Sequence, residues 1–391
     1  MIKQCALITV CLMSSLAVSA ELSRYTAGRL QQANQFAQDE KFKQAITVLR
    51  ETNTSFDYDK AFVARVMAVF YWQDGQTKHA IEQMEYAVAS GLLKDEQAWV
   101  SERMLADLYL TERQFNQALK HYYQLVEMAP KDHQKNDIWL RIAQSHYQLE
   151  QWRDVVVSAK RYLNEETQDR LQPLSLMLGA QLALNLPHDA IVTLGQLIEI
   201  EPKKLQWWRQ LSNLQMQVGK EKKALGTLSL AKLNGLALSQ NDRRILAQLY
   251  AKQGIPERAA IEISQLEDAQ ADIQLLVEQA TYWQLAKQWD TAISIWKKAV
   301  QTAPKYNWNL AQLLIQQGYY KESITVLDKV EGRQAAVALA KTRVFYKLDQ
   351  LDKALSQAKK AERLEPSSQA KGWIKFLSQL DTASKHQKTA T

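Results

Sequence analysis

A 17-residue pattern that occurs three times constrains the fold of this chain more than any other feature. The copies are QFNQALKHYYQLVEMAP (114–130), QWDTAISIWKKAVQTAP (288–304) and QLDKALSQAKKAERLEP (350–366). Each has a large apolar residue second, Ala fifth and Pro last. Such repetition indicates an array of one supersecondary unit, because copies that cannot bury their apolar faces alone share a core when they stack.

Pairs of small residues extend this periodicity into ten units. The first members are Ala33, Ala68, Ala106, Ala143, Gly179, Ser212, Ala247, Ala280, Ala311 and Thr342. The second members are Ala45, Ala80, Ala118, Val155, Ala190, Ala224, Ala259, Ala292, Ser323 and Ala354. The two members lie 12 residues apart in every unit but the fifth, where Gly179 and Ala190 are 11 apart.

The composition favours helix nearly throughout, because the 391 residues include only 12 Gly and 7 Pro. Each unit is therefore predicted to be two helices of about a dozen residues joined by a tight turn. Turns of this kind are QDGQ (73–76), KQG (252–254) and QQG (316–318). The small residue on each helix lets the two backbones approach closely, and large residues fill the space beside them.

The pattern resembles the tetratricopeptide repeat, a helix–turn–helix with the signature W-x2-L-G-x2-Y, then A-x3-F, then P. LADLY (105–109) matches its first helix, and AISIW (292–296) matches its second. The resemblance implies an all-α fold, a right-handed α-solenoid of about ten units over residues 21–366, with a concave inner surface. WIKFLSQL predicts a capping helix over 367–380. Residues 381–391 lack apolar periodicity and are predicted to be disordered.

Residues 1–20 have the parts of a secretory signal peptide: a positive start, an apolar run and the small-residue cleavage signal VSA (18–20). The run is shorter than the ~20 residues of a transmembrane helix. We expect cleavage after Ala20 and a periplasmic product with no integral membrane segment; an uncleaved anchor is the alternative. Both cysteines, Cys5 and Cys11, lie in the leader, so the mature chain has no thiol.

The sequence contains no recognised catalytic or cofactor-binding motif: no HExxH, G-x-S-x-G, GxxxxGK[ST] or GxGxxG. We predict no catalytic, cofactor or metal site. The 49 basic and 42 acidic residues are scattered, whereas nucleic-acid binding needs a basic stripe or a module. His121, Trp289 and Trp296 are predicted to pack within the repeats, and Trp72, Trp207 and Trp308 stay open as binding residues.

A partner-binding groove is predicted on the first helix of each unit. Its inward stripe lies at positions −6, −3, +1 and +4 from the small residue, which is a helical period. The candidates are Phe62, Arg65, Trp72, Arg103, Asp107, Gln144, Tyr147, Arg209, Asn213, Arg244 and Gln248. The four arginines share position −3. They have two interpretations, binding to partner carboxylates or pairing with acids of neighbouring units, such as Arg103 with Asp137.

A narrower resemblance suggests a cellular role. Segments 68–93, 102–126 and 139–152 are similar to exported repeat proteins that accompany TonB–ExbB–ExbD energy-transduction systems in marine gammaproteobacteria. That resemblance implies a non-catalytic periplasmic adaptor for iron or haem uptake. The alternative is a regulator or assembly factor of an envelope polysaccharide or peptidoglycan enzyme system. The sequence specifies neither the partner, nor the oligomeric state, nor the curvature of the superhelix.

Overall fold

The structure is a computed structural model that describes residues 22–128, 135–164 and 169–389. Over these residues it contains 21 α-helices and one short 3₁₀ turn, and no strand. The predicted leader, residues 1–20, lies outside the described part of the chain. Contacts divide the chain between Ile200 and Glu201 into two compact units, here called the N-terminal unit and the C-terminal unit.

The helices are numbered α1 to α21 in chain order. The N-terminal unit contains α1 (Arg24–Gln38), α2 (Phe42–Arg50), α3 (Asp57–Gln73), α4 (Thr77–Ala89), α5 (Asp95–Thr111), α6 (Phe115–Met128), α7 (Lys135–Gln148), α8 (Trp152–Leu163), α9 (Leu171–Ala183) and α10 (Pro187–Ile200). The C-terminal unit contains α11 (Leu205–Gln217), α12 (Glu221–Leu233), α13 (Gln240–Lys252), α14 (Pro256–Ser264), α15 (Ile273–Leu285), α16 (Trp289–Thr302), α17 (Asn307–Gln316), α18 (Tyr320–Leu327), α19 (Gln334–Lys347), α20 (Leu351–Leu364) and α21 (Ser368–Thr389).

Helices α1 to α20 form ten successive pairs, five in each unit, and consecutive helices within a unit pack against one another. The predicted all-α fold and its ten helix–turn–helix pairs are confirmed. The two units are stacks of these pairs, and α21 packs on α20 after the last of them.

The small residues of the pattern lie at the helix–helix contacts. Ala106 on α5 and Ala118 on α6 are both fully buried, as are Ala280 and Ala292 on α15 and α16. Gly179 on α9 is the exception, since it is half-buried. Close approach of the two backbones leaves room only for a small side chain at most of these positions, and Val155 and Thr342 are the largest residues found there.

The 12-residue register also carries hydrogen bonds that the apolar pattern did not reveal. The Thr193 hydroxyl donates to Oε1 of Gln181 at 2.8 Å. Likewise, the Thr227 hydroxyl donates to Oε1 of Gln215 at 2.8 Å. All four side chains are buried. Each bond joins the two helices of one pair and satisfies polar groups that burial would otherwise leave unpaired.

Every turn within a pair has one residue in the left-handed region. These residues are Glu40, Gly75, Arg113, Glu150, Asn185, Gly219, Gly254, Lys287, Gly318 and Asp349. At Gly254 φ is 73°, and the next amide, of Ile255, donates to the carbonyl of Tyr250 at 2.9 Å. This arrangement ends a helix and satisfies its last carbonyl groups. The predicted tight turns are confirmed, and six of the ten use a residue other than glycine.

Helix α21 corrects the prediction for the C-terminus. It begins at Ser368 and continues to Thr389, so residues 381–389 are helical where disorder was predicted. Residues 390 and 391 lie outside the described part of the chain. The added segment contains no Gly or Pro, and extending an existing helix avoids the cost of nucleation. Missing apolar periodicity was therefore a poor indicator of disorder.

Among the described residues, no helix combines the length and apolar character that a membrane span requires.

Candidate partner-binding surface

The three predicted groove residues of α3 differ in exposure. The Trp72 side chain is 43% exposed. Phe62 is 5% exposed and belongs to the core of the N-terminal unit, so its predicted place on the groove surface is wrong. The Arg65 guanidinium lies 5.6 Å from the centroid of the Phe62 ring. Phe62 therefore acts as a support for Arg65, a cation–π arrangement.

Arg103 on α5 links two helix pairs. Its Nη2 lies 3.5 Å from Oδ2 of Asp137 on α7, and its Nε lies 4.0 Å from Oδ2 of Asp107. The same Asp107 carboxylate accepts a hydrogen bond from the Tyr122 hydroxyl at 2.5 Å. The pairing of Arg103 with Asp137 is the structural alternative that the sequence left open. Arg103 and Asp107 are thus occupied by the chain itself.

Arg209 on α11 makes the tightest of these links. Its Nε lies 2.9 Å from Oδ1 of Asp242 on α13, and its Nη2 lies 2.6 Å from Oδ2. The Asp242 carboxylate also accepts from the amide and hydroxyl of Ser239, both at 2.8 Å, and so completes the N-terminal cap of α13. Burial alone would raise the pKa of Asp242, but the hydrogen bonds from Arg209 and Ser239 outweigh it and hold that pKa below its ordinary value.

The Arg209–Asp242 pair lies in the wall of an open cavity of about 290 Å³. Asn213, which was predicted as a groove residue, also lines this cavity and is exposed, as is Asn241. Ile245 provides an apolar wall. The cavity offers amide groups to solvent, whereas its charges neutralise each other.

Arg244 on α13 repeats the arrangement in the next pair. Its Nη2 lies 3.0 Å from Oε1 of Glu278 on α15. Gln248, the remaining predicted groove residue of this unit, is exposed. Three of the four arginines at position −3 therefore bind a carboxylate of the following first helix.

Arg65 is the fourth, and it forms no ion pair with any residue that the structure describes. Its side chain is half-buried. Burial lowers the pKa of the Arg65 guanidinium below its ordinary value, while the nearby Tyr58 and Glu96 act in the opposite direction. Arginine stays charged at neutral pH even so. Arg65, Val69 and Trp72 share one stripe of α3, which we call the α3 surface.

The sequence of α5 explains why Arg65 differs. Counted from the small residue of their own helices, the three carboxylates lie at positions −6, −5 and −2 (Asp137, Asp242 and Glu278). Counted from Ala106, the same positions of α5 hold Val100, Ser101 and Met104. None of these can accept an ion pair from Arg65.

The two groove candidates of α7 are engaged within the N-terminal unit. Oε1 of Gln144 accepts from Nη1 of Arg141 at 3.4 Å. The Tyr147 ring lies edge-on to Trp152, with centroids 5.2 Å apart, and also contacts Gly179 of α9. Tyr147 is half-buried, so it joins neighbouring helices rather than standing as an exposed anchor.

The family comparison agrees with this architecture. Residues 104–132 and 292–336 match the model of the tetratricopeptide repeat. These two segments of the chain carry the tetratricopeptide repeat. The first matched segment covers the C-terminal half of α5, from residue 104, and all of α6. The second begins within α16 and ends in α19.

Solved structures with similarity to the chain include two repeat proteins from bacteria. A tetratricopeptide repeat protein from Parabacteroides merdae is 14% identical, with a TM-score of 0.38, over 68% of this chain and 98% of that one. The C-terminal part of a repeat-containing protein from Cytophaga hutchinsonii is 14% identical, with a TM-score of 0.39, over 70% and 95%. No curated protein matches the chain.

The tetratricopeptide repeat formed by α5 and α6 contains a buried polar cluster that the sequence did not predict. Nδ1 of His121 lies 2.7 Å from Oε1 of Glu102, whose side chain is 6% exposed. The His121 ring stacks on Tyr109, with centroids 5.4 Å apart, and the Tyr109 hydroxyl bonds to Glu85 of α4. The packing role predicted for His121 fits these contacts. Within the described residues, no group of three or more His, Cys, Asp or Glu could hold a metal ion.

The other tryptophans divide between core and surface. Trp296 is 2% exposed, in the core of the repeat formed by α15 and α16, as predicted. Trp289 packs against the same core. Nε1 of Trp207 donates to Oε2 of Glu201 at 3.1 Å, which leaves Trp72 as the most exposed of these rings.

Proposed function

We propose that this tetratricopeptide repeat protein is a scaffold that binds a protein partner through the α3 surface. The observation that carries the proposal is the juxtaposition on one helix of a half-buried Arg65 and an exposed Trp72. Arg and Trp dominate the energetics of many protein interfaces, since each combines a large contact area with a directional polar group. The proposal is for binding rather than catalysis.

We further propose that the scaffold works in the periplasm as an accessory to a TonB–ExbB–ExbD system. The signal-peptide pattern of residues 1–20 supports export. Similarity of segments 68–93, 102–126 and 139–152 to exported repeat proteins of such systems supports the partner. In this role the protein holds components of the system together while inner-membrane proton-motive force is coupled to iron or haem uptake.

Site-specific photo-crosslinking in intact cells tests the proposal. A benzophenone amino acid replaces Trp72 in one strain and Val192 in a control strain. Val192 is 64% exposed on α10, a second helix of the same unit, and so lies off the predicted stripe. We expect a crosslinked protein from position 72 and none from position 192.

The identity of the crosslinked protein then separates the candidate roles. A TonB, ExbB or ExbD component supports the proposed system. An enzyme of polysaccharide export or peptidoglycan synthesis supports the alternative of a regulator or assembly factor. Crosslinking from position 192 alone contradicts the assignment of the α3 surface.

A further inference from the structure

We propose that Arg65 is the recognition site for a carboxylate of the partner, which takes the place that an internal carboxylate occupies in the other repeats. The inference rests on the proposed function and adds the chemistry of the partner segment. It comes from the contrast among four arginines at one position of the repeat, not from the exposure of an apolar patch.

The three paired arginines show what this position binds. Arg103, Arg209 and Arg244 each contact a carboxylate of the following first helix, with N–O distances of 3.5, 2.6 and 3.0 Å. The geometry of the repeat therefore directs a guanidinium at this position toward an acidic group of its neighbour. In α5 the corresponding positions hold no acid, and Val100 stands where α7 has Asp137.

Arg65 is accordingly a charged group with an unfilled acceptor position. Burial weakens the hydration of this guanidinium. Glu96 on α5 and Tyr58 act on it electrostatically in the opposite direction, but neither forms an ion pair with it among the described residues. Val100, at the repeat position where α7 has Asp137, is 36% exposed, so this position on the neighbouring first helix is reachable from solvent. A carboxylate from outside the chain would add the direct ion pair that the other three arginines have. A phosphate or a neutral side chain matches the position less well, since the other repeats fill it with Asp or Glu.

Trp72 adds a second requirement to the partner. Arg65 and Trp72 are seven residues apart on α3, about 10 Å at a rise of about 1.5 Å per residue. An extended segment advances about 3.3 Å per residue. The partner segment therefore presents a carboxylate and, three residues away, a large apolar side chain. An Asp or Glu side chain and a C-terminal carboxylate are the two sources of that acid.

Three fluorescein-labelled peptides test this against the mature full-length protein, by fluorescence anisotropy. The first carries one Asp and, three residues later, one Phe, with both termini blocked. The second has Asn in place of Asp. The third ends in a free carboxylate at the Asp position, with the Phe three residues before it. We expect the first or the third peptide to bind at least about tenfold more tightly than the second, the usual contribution of a charged hydrogen bond.

Three variants connect this preference to Arg65. In Arg65→Gln we expect the preference for the carboxylate to disappear. In Val100→Asp we expect the same loss, because the new side chain reproduces Asp137 and pairs with Arg65 internally. Arg103→Gln is the matched control, since it alters the same repeat position where a carboxylate is already present, and it should keep the preference. If Arg65→Gln fails to fold by circular dichroism, Val100→Asp decides the question.

Equal binding of all three peptides to the unmodified protein overturns the inference, as does a preference that survives both Arg65→Gln and Val100→Asp. Crosslinking from position 72 separates this failure from a failure of the proposed function. If the Arg65→Gln protein captures the same cellular partner in undiminished yield, the scaffold role is supported, but recognition of a carboxylate by Arg65 is not part of it. Capture of no partner by either protein removes the scaffold role as well.

Discussion

The Tyr147 ring on α7 occupies the space that a side chain at Gly179 on α9 would need. A Cβ at Gly179 would lie 2.8 Å from Oη of Tyr147 and 3.0 Å from its Cε2, closer than such atoms ordinarily approach. This contact explains why the fifth repeat has glycine where the other first helices have Ala, Ser or Thr. It also ties the fourth helix pair to the fifth.

The contact predicts that the effect of Gly179→Ala changes sign with the residue at position 147. In the unmodified protein, overpacking outweighs the gain in helix propensity, and we expect a loss of about 1 kcal/mol in the free energy of unfolding. In a Tyr147→Ala background the clash is absent, and the same change should stabilise by about 0.5–1 kcal/mol. Urea titrations of the four proteins measure both values. The same sign in both backgrounds would show that Tyr147 does not restrict this position.

Substitutions at the left-handed positions of two turns should change stability in opposite directions. Gly254 has φ of 73°, whereas Lys287 occupies the equivalent turn with φ of 58°. Gly254→Ala should destabilise the C-terminal unit by about 1 kcal/mol, because a Cβ is disfavoured in this region. Lys287→Gly should stabilise it, by up to about 1 kcal/mol, because it removes that cost. Chemical denaturation followed by far-ultraviolet circular dichroism measures both, and a loss of stability in Lys287→Gly would contradict the argument.

Acid should weaken the link between Arg209 and Asp242. The pKa of Asp242 is below its ordinary value in the folded protein, so its ionised form stabilises the fold above about pH 4, the unfolded value. That contribution declines as pH falls below about 4 and is lost once pH has fallen through the lower, folded pKa. The difference in unfolding free energy between the unmodified protein and Asp242→Asn should therefore be constant from pH 7 to about 5 and decrease below that. If the difference in unfolding free energy does not change down to pH 2, the ionisation of Asp242 does not contribute to stability.

Contacts between neighbouring pairs predict that the N-terminal unit folds without the rest of the chain. In repeat arrays each helix pair depends mainly on the neighbouring pairs. The N-terminal unit, which ends at Ile200, contains five such pairs. A fragment of residues 21–200 should keep the helicity per residue of the full-length protein. Circular dichroism and a cooperative thermal transition would check this. A fragment with little helix would show that folding requires the C-terminal unit.

The regular part of this fold could be predicted from its sequence because it depends on spacing. A small residue such as Ala106 followed by Ala118 identifies two helices that touch, and the same spacing recurs along the chain. The side-chain roles on the groove were less predictable. Phe62 fits the stripe by position but lies in the core, because a stripe of period 3.6 does not indicate how deeply each residue is buried.

The sequence predicted the acidic partners of the groove arginines only in part. The sequence identified Asp137 as a partner for Arg103, since both occupy stripe positions. It did not identify Glu278 for Arg244, because that acid lies at position −2 and reaches the arginine only in the folded packing. The helical extension of α21 past residue 380 was missed for a different reason, since helix propagation needs no apolar stripe.

The contrast between Arg65 and Arg103 leads to opposite predictions for two single substitutions. Arg103→Ala breaks a half-exposed ion pair with Asp137 and should cost about 0.5 kcal/mol of stability, with partner affinity nearly unchanged. Arg65→Ala removes no ion pair, so stability should change by less than about 1 kcal/mol. It should weaken partner binding by about 1.5–3 kcal/mol, the value of a charge-assisted hydrogen bond. Thermal unfolding measures the stability of each variant. Titration with the purified partner, once crosslinking has identified it, measures the affinity. Partner affinity that falls more in Arg103→Ala than in Arg65→Ala would place the binding site on α5 and assign a structural role to Arg65.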